Sequence, residues 1–406
     1  MTETQPVPDA QPVRRTCPFD PPEGYRALRE HDPVAPMILA DGLTGVIVSG
    51  YDEVRAVLTD PRFSARHRRA RPGQTVTDDS PLPAHVPGMF IMMDAPEHTR
   101  FRRLLTGKFT VRRMRQLTPK VTQYVAEQLD EMARTGGPAD LVQMFALPVP
   151  SLMICELLGV PYADRADFQA NSATIVDMDA PPEDATRARI AMYQYIHELV
   201  RAKRAEPTDD LLSDLVTTGE LTDDELAGVG MLLLIAGHET TANMIALSTL
   251  CLLSHPDQLA ALRAEPQLID GAVEELLRYL TIVHLGLRRT ARQDVELRGR
   301  TIKAGSTVVA ALASANREAG RFAGDPDTFD VRRPRGAHLA FGHGIHQCLG
   351  QQLARIELTI ALGALFERFP GLRLAVPVRD VPMRDSGFVY GPRELLVTWD
   401  TEVDCG

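Results

Sequence analysis

A mainly helical fold with a minor β region is predicted by three features of this 406-residue chain. Between about 94 and 279, apolar residues recur at the i, i+3, i+4 spacing of amphipathic helices. One apolar run, about 222 to 254, would as a helix span roughly 45–50 Å, enough to cross a molecule of this size. Strand-like runs are short and confined to the region near 45–49 and to 295–310.

Taken in order, residues 1–20 are polar and Pro-rich and read as a flexible N-terminal segment, with 21–406 as a single domain. Helical pieces at 24–31 and 52–58 alternate with the strand-like Gly45-Val-Ile-Val-Ser49. Residues 64–90, rich in Arg, Pro, Gly and Asp, read as a long loop of the kind that covers a site. Asp94, three residues before Glu97, predicts a capped helix to about Phe109. Helical spacing continues over 118–134, 151–158, 163–178, 183–204 and 209–216. Thr222 and Glu225 form a second capping-box pattern, opening the long helix that His255-Pro256 ends. Helices near 257–264 and 266–279 follow, then strands at 295–297, 301–302 and 307–310.

Composition excludes several classes of function. A net charge of −10 argues against a general nucleic-acid binder. Five scattered cysteines, at 17, 155, 251, 348 and 405, are no disulfide framework and suit a reducing cytoplasm. No apolar signal or membrane anchor opens the chain, and the long apolar run carries His238-Glu239-Thr240-Thr241 at its centre, too costly for a membrane span.

The chemistry concentrates in Phe341-Gly-His-Gly-Ile-His-Gln-Cys-Leu-Gly350, which runs into a helical stretch. A cysteine at a helix N-terminus faces free N–H groups and the positive end of the dipole, which favour the metal-binding thiolate. Gly342 and Gly344 build the turn; Gly344 supplies a positive φ, and Gly350 lets the backbone approach a flat group. A zinc site from His338, His343, His346 and Cys348 is the rival, but its spacing is wrong for a zinc finger. In the long helix, Gly237 and Thr240 predict local unwinding, because a threonine hydroxyl can bond a carbonyl one turn back. His98 and Arg102, four residues apart, share a helix face and suit a pair of carboxylates. Glu275 and Arg278 share another, which alone signals little more than an ion pair.

The pattern Phe341-x-x-Gly344-x-x-x-Cys348-x-Gly350 resembles the haem-binding loop of cytochromes P-450, in particular the soluble actinobacterial branch, and the likeness extends from Pro18 to Leu395. The resemblance implies a long central helix over haem b and a small sheet on the N-terminal side. It implies Cys348 as axial iron ligand, with Phe341, Gly342 and Gly350 around the haem, and His98, Arg102, Arg289 and His346 on its propionates, Arg288 being an alternative to Arg289. Glu239 and Thr240 would be catalytic, Thr240 hydrogen-bonding dioxygen and Glu239 relaying protons from solvent. Glu275 and Arg278, with Arg333 or its neighbour Arg332, would form a structural ion-pair network. The reaction implied is hydroxylation or epoxidation of a mostly apolar compound of polyketide, macrolide, statin-like or sterol-like kind, by a cytoplasmic monomer. Electrons would come from NAD(P)H through a separate ferredoxin-type partner, since no dinucleotide fingerprint occurs here. The alternatives are a phenol-coupling or peroxygenase catalyst and a non-catalytic haem sensor.

The expected pocket walls are Leu232, Leu233, Ala236 and Gly237, then Ile282, Val283 and Leu285, and the turn at Gly387, Phe388 and Val389. Arg66, His67, Arg68, Arg69 and Arg71 crowd the 64–90 loop, where one could turn inward to meet a substrate carboxylate. Arg100, Arg103, Lys108, Arg112, Arg113 and Arg115, with Arg355, make a basic run that would steer an acidic electron donor.

Overall fold

The computed structural model describes residues 9–67, 86–176, 180–384 and 388–400. The helices are α1 (Tyr25–His31), α2 (Tyr51–Thr59), α3 (Glu97–Thr106), α4 (Val111–Gln116), α5 (Thr118–Thr135), α6 (Pro148–Leu158), α7 (Arg165–Val176), α8 (Pro182–Ala205), α9 (Leu211–Thr218), α10 (Asp223–Ser254), α11 (Pro256–Ala264), α12 (Ile269–Leu280), α13 (Leu312–Ala315) and α14 (Gln351–Arg368). The strands are β1 (Asp9–Ala10), β2 (Val34–Ile38), β3 (Thr44–Val48), β4 (Phe63–Ser64), β5 (Ala139–Asp140), β6 (Leu287–Ala291), β7 (Val295–Leu297), β8 (Arg300–Ile302), β9 (Thr307–Ala310), β10 (Arg373–Leu374), β11 (Met383–Arg384), β12 (Gly391–Pro392) and β13 (Leu396–Thr398). Helix dominates, as the apolar spacing predicts.

The long helix α10 is the axis of the molecule. Its capping box is complete: Thr222 Oγ1 accepts from the Glu225 N–H, and the Glu225 carboxylate accepts from the Thr222 N–H at 2.9 Å. From Leu226 to Leu234 and from Thr241 to Leu252 it is buried all round, packed against α6, α8, α12 and α14. Gly228 exists for a crossing: the chain at Pro87 and Gly88 passes so close that a Cβ on Gly228 would lie 1.9 Å from the Pro87 carbonyl. The end of the 64–90 loop is thereby seated on the first turns of α10.

Six strands form the main sheet in the order β1-β2-β3-β9-β6-β4. β6 pairs antiparallel with β9 and β4, which places Arg289 beside the base of the 64–90 loop. A small hairpin, β11 with β12, lies on α10 at Asn243, where a Cβ on Gly391 would meet the Asn243 side chain at 2.3 Å.

Three expectations are corrected. Residues 9–20 are not loose: β1 pairs with β2, Gln11 is buried and bonds the Tyr25 hydroxyl at 3.2 Å, and Arg15 bonds the Asp20 carbonyl at 2.9 Å. Asp94 does not cap α3, whose N-cap position is Pro96; its carboxylate instead accepts from Ser64 Oγ and from the Ala65 N–H at 2.8 Å. The α10 helix is not unwound at its centre. Thr240 Oγ1 does bond the Ala236 carbonyl, at 2.6 Å, but as an addition to an unbroken helix. Within the 64–90 loop, Arg68, Arg69 and Arg71 lie outside the described residues, as does Gly387.

Candidate active site

The cysteine loop is a tight double turn. Gly342 and Gly344 have φ of 70° and 74°, and a Cβ on Gly344 would stand 2.4 Å from the Leu58 carbonyl at the end of α2. The Cys348 N–H donates to the Phe341 carbonyl at 2.9 Å, and α14 begins just beyond, with Gly350 at its N-cap. The Cys348 thiol lies deep but keeps partial access. Burial pushes it above the ordinary thiol range, against the opposing N–H groups of Gly350 and Gln351 and the charges of Arg102 and Arg355. The helix-terminus effect that the sequence predicts is present, but desolvation outweighs it.

The zinc alternative fails on geometry. His338 bonds Glu274 at 3.0 Å, His343 bonds Arg55 at 3.2 Å, and the His346 ring lies tilted against His98 with centroids 4.1 Å apart. Among the described residues no three His, Cys, Asp or Glu side chains converge.

His98 and Arg102 on α3, Arg289 on β6 and His346 in the cysteine loop form one basic cluster. Desolvation lowers His98 to about 4 and His346 to about 3, with repulsion among the four adding to it, and burial lowers Arg289 to about 10. Arg102, half-buried, is lowered the same way and feels Cys348 as an opposing attraction. Both ring nitrogens of His98 are buried without a hydrogen bond. Asp94 is the acid that His98 and Arg289 sense, and its oxygens are taken by Ser64 and Ala65. Arg288 turns away to Asp41, 2.6 Å distant, so Arg289 is the arginine that joins the cluster. A buried imidazole with idle ring nitrogens, beside the cations Arg102 and Arg289, suits an anionic ligand.

At the middle of α10, Ala236 is exposed and Glu239 and Thr240 are half-buried, although the helix on either side is buried. That face therefore borders open interior space. Gly237 does not line it: its missing side chain points at Ile154 of α6, where a Cβ would lie 2.6 Å from Cδ1, and Leu233 sits one turn earlier on that face. Glu239 is pushed above the usual carboxylate range by burial, against the pull of Arg384 at 3.6 Å. His238, buried on another face, shares a 2.7 Å hydrogen bond with Ser172 of α7 and is lowered to about 4 by desolvation.

Ile282, Val283 and Leu285 are half-buried, Val283 bridges to Val389, and Phe388 is partly exposed, its carbonyl accepting the His284 N–H at 3.0 Å. Leu232 is buried one turn before Ala236. Arg66 and His67 fold back on the loop base, the Arg66 N–H donating to Ser64 Oγ at 3.1 Å.

Behind the cysteine loop, Glu275 binds Arg278 at 2.7 and 2.8 Å and Arg333 at 3.0 Å. The remaining donors of both arginines reach carbonyls at Asn316, Pro326, Thr328, Ala323 and Asp325. Arg332 points outward to Glu265. The basic run is largely neutralised: Arg100 pairs with Glu225, Arg103 with Glu220, Lys108 with Asp214 and Arg113 with Asp209. Helices α3 and α4 lie against α9 and the start of α10, and those elements open with acids.

Four partners escaped sequence reasoning: Asp94 at the loop base, Ser172 against His238, Arg384 against Glu239, and Glu274 with His338 and Arg355. Each joins residues far apart in the chain, and only a capping pattern at Asp94, misread, gave any local signal.

The site fits a flat, doubly anionic ring system. A Cβ on Gly350 would meet nothing within 4 Å, the cysteine lies at its side, and the idle basic cluster lies within electrostatic reach of that cysteine. Comparison with known proteins agrees. The family model described as cytochrome P450 matches residues 183–399. Cytochrome P450 105C1 of a Streptomyces species is 50% identical over 98% of this chain and 100% of its own length. Pentalenic acid synthase of Streptomyces avermitilis is 46% identical, covering 97% and 98%. The crystal structure of CYP105P1 in complex with filipin I superposes with a TM-score of 0.90 at 44% identity, covering 97% of this chain and 99% of that one.

The fold and site thus define a haem-dependent oxidoreductase. The chain belongs to the cytochrome P450 family and is a monooxygenase, with haem and dioxygen use coming with the family. Among the described residues no helix is long and apolar enough to cross a membrane.

Proposed function

We propose that this monooxygenase inserts one oxygen atom into a C–H or C=C bond of a largely apolar secondary metabolite, with Cys348 as the axial ligand of haem b. The observation that carries the reading is the basic cluster of His98, Arg102, Arg289 and His346 beside that cysteine, in which both ring nitrogens of buried His98 are idle, a setting that suits two propionates. Bound there, the haem supplies dioxygen activation, which an axial thiolate promotes. Phe341 and Gly342 shape the loop beneath it, and Gly350 leaves room for the ring.

Glu239 and Thr240 act as the proton path. Thr240 presents its hydroxyl at the open face of α10, anchored on the Ala236 carbonyl. Glu239, with a raised affinity for its proton, can hold and pass one on, and Arg384 beside it limits that affinity. Such a pair is of no use to a peroxide-driven catalyst or a sensor, and this favours the monooxygenase. Thr240→Ala should release more peroxide per product; an unchanged yield per NAD(P)H would remove Thr240 from the path.

The substrate wall is formed by Leu232, Ala236, Ile282, Val283, Leu285, Phe388 and Val389, aliphatic apart from one ring, so selection is by shape. A relative named pentalenic acid synthase and a neighbour in complex with filipin I support a secondary metabolite as substrate. Electrons come from NAD(P)H through a ferredoxin-type protein. Arg112 and Arg115 on α4, which packs on α14, are exposed without an acidic partner among the described residues and form its docking charge. Four free thiols among the described residues suit a cytoplasmic enzyme. The test is turnover of candidate metabolites under labelled dioxygen with ferredoxin, its reductase and NAD(P)H. One labelled atom in the product supports the reading; product formed only with peroxide contradicts it.

A further inference from the structure

Glu274 and Glu275 are neighbours on α12, yet they serve different partners. Glu275 is spent on Arg278 and Arg333, whereas Glu274 reaches the outer side of the cysteine loop. Arg355 of α14 grips it as a fork, Nε to Oε1 at 2.5 Å and Nη2 to Oε2 at 3.1 Å. His338 Nε2 adds a third contact to Oε2 at 3.0 Å. The Ala340 N–H donates to His338 Nδ1 at 3.3 Å, so that nitrogen accepts while Nε2 faces Glu274. Against the effect of burial, His338 and Arg355 hold the Glu274 carboxyl down to about 2.

The same guanidinium lies over the Phe341 ring, 4.6 Å from its centroid, and its Nη1 bonds Gln351 Oε1 at 3.1 Å. Phe341 in turn accepts the Cys348 N–H at 2.9 Å. Three contacts, through Arg355 and Phe341, therefore join the acid on α12 to the cysteine. Glu274 and Arg355 bring one negative and one positive charge, and the positive one is felt at Cys348. Arg355 is thus no free docking cation, as its place after the cysteine suggests from sequence, but half of a neutral pair.

We propose that Glu274, His338 and Arg355 are positioning residues that clamp the cysteine loop and cancel, behind it, a charge that would otherwise shift the reduction potential of the haem iron. The inference rests on Cys348 being the axial ligand. Reduction adds an electron at the iron, so a nearby uncompensated cation favours the reduced form and an uncompensated anion opposes it. A unit charge at about 10 Å in a medium of effective dielectric constant near 20 changes such an equilibrium by roughly an order of magnitude.

The experiment is potentiometric titration of the haem-loaded protein and four variants, each first checked by its carbon-monoxide spectrum. Glu274→Gln keeps shape and removes the anion, and should raise the ferrous-to-ferric ratio at fixed potential by about three- to tenfold; tenfold is about 59 mV for one electron. Arg355→Gln should lower it by a similar factor, and the double variant should return close to wild type. Arg355→Lys, which keeps the charge, should stay near wild type. Shifts of the same sign in both single variants, or none in either with the thiolate band intact, would show a merely structural clamp and overturn the inference. A wild-type complex lacking the thiolate band would instead overturn the reading of Cys348, and the inference with it.

Discussion

Two buried polar clusters flank the cysteine loop, and their hydrogen bonds divide them. Around Glu275, both arginines end on a carboxylate or a carbonyl, and the three side chains are closed on one another. Around His98, four basic groups face each other with two ring nitrogens idle and the nearest acid engaged elsewhere. Glu275 and His98 are alike in burial, at 3% and 1% exposure, although Arg102 and His346 of the open cluster are half-buried. The closed cluster is complete within the fold, whereas the open one leaves polar atoms without a partner in the protein. Satisfaction, not burial or charge, separates a structural network from a binding site.

The sharpest way to break this contrast is to remove one member from each cluster. Glu275→Ala strands two buried guanidinium groups and should cost about 3–5 kcal/mol, measured by urea denaturation of the haem-free protein. A loss below about 1 kcal/mol would mean that the network is not structural. Arg289→Gln should leave haem-free stability unchanged or slightly improved, because it relieves repulsion. It should speed haem loss to a scavenging apoprotein about ten- to a hundredfold, the worth of one charge-assisted hydrogen bond. Equal losses of haem-free stability in the two variants would erase the distinction.

Glu357, on the cysteine helix, is a third case. Its carboxylate is 3% exposed, meets no hydrogen bond among the described residues, and is raised by burial to about 8. An acid whose folded pKa is raised stabilises fully below its unfolded value, near 4.5, and loses that contribution as pH rises through about 8. Glu357→Gln should therefore match wild type near pH 5 and exceed it by a few kcal/mol near pH 9. A variant whose advantage does not grow with pH would show that the carboxyl has a partner. The smallest effect is expected beside the largest: Arg332→Ala, which breaks an exposed pair with Glu265, should change stability by no more than about 0.5 kcal/mol, although its neighbour Arg333 belongs to the closed network.

Much of this was legible from sequence because it is local. The capping box at Thr222, the glycine turn before Cys348 and the period of α10 each lie within a few residues. Spacing favours Arg333 over Arg332 and the family resemblance favours Arg289 over Arg288, but what separates each pair physically is not local. Arg288 and Arg289 point to opposite faces of β6, one to Asp41 and the other to the His98 cluster, while Arg332 and Arg333 part at a turn, one to Glu265 and the other to Glu275. The unwinding expected at Gly237 failed because a Gly-Thr pattern permits a break without requiring one, and the contact of Gly237 with Ile154 gives that glycine a packing reason. The basic run on α3 and α4 read as free charge because its acids lie a hundred residues away, between 209 and 225.

The claim on which the rest depends is that Cys348 supplies a thiolate to the haem iron, and the carbon-monoxide difference spectrum of wild type and Cys348→Ser tests it most directly. Wild type should give the band of a thiolate-ligated haem, and Cys348→Ser should lose it while keeping the helical circular dichroism of the wild-type fold, a hydroxyl being a poor soft ligand. A Ser variant that retains the wild-type band would contradict the account.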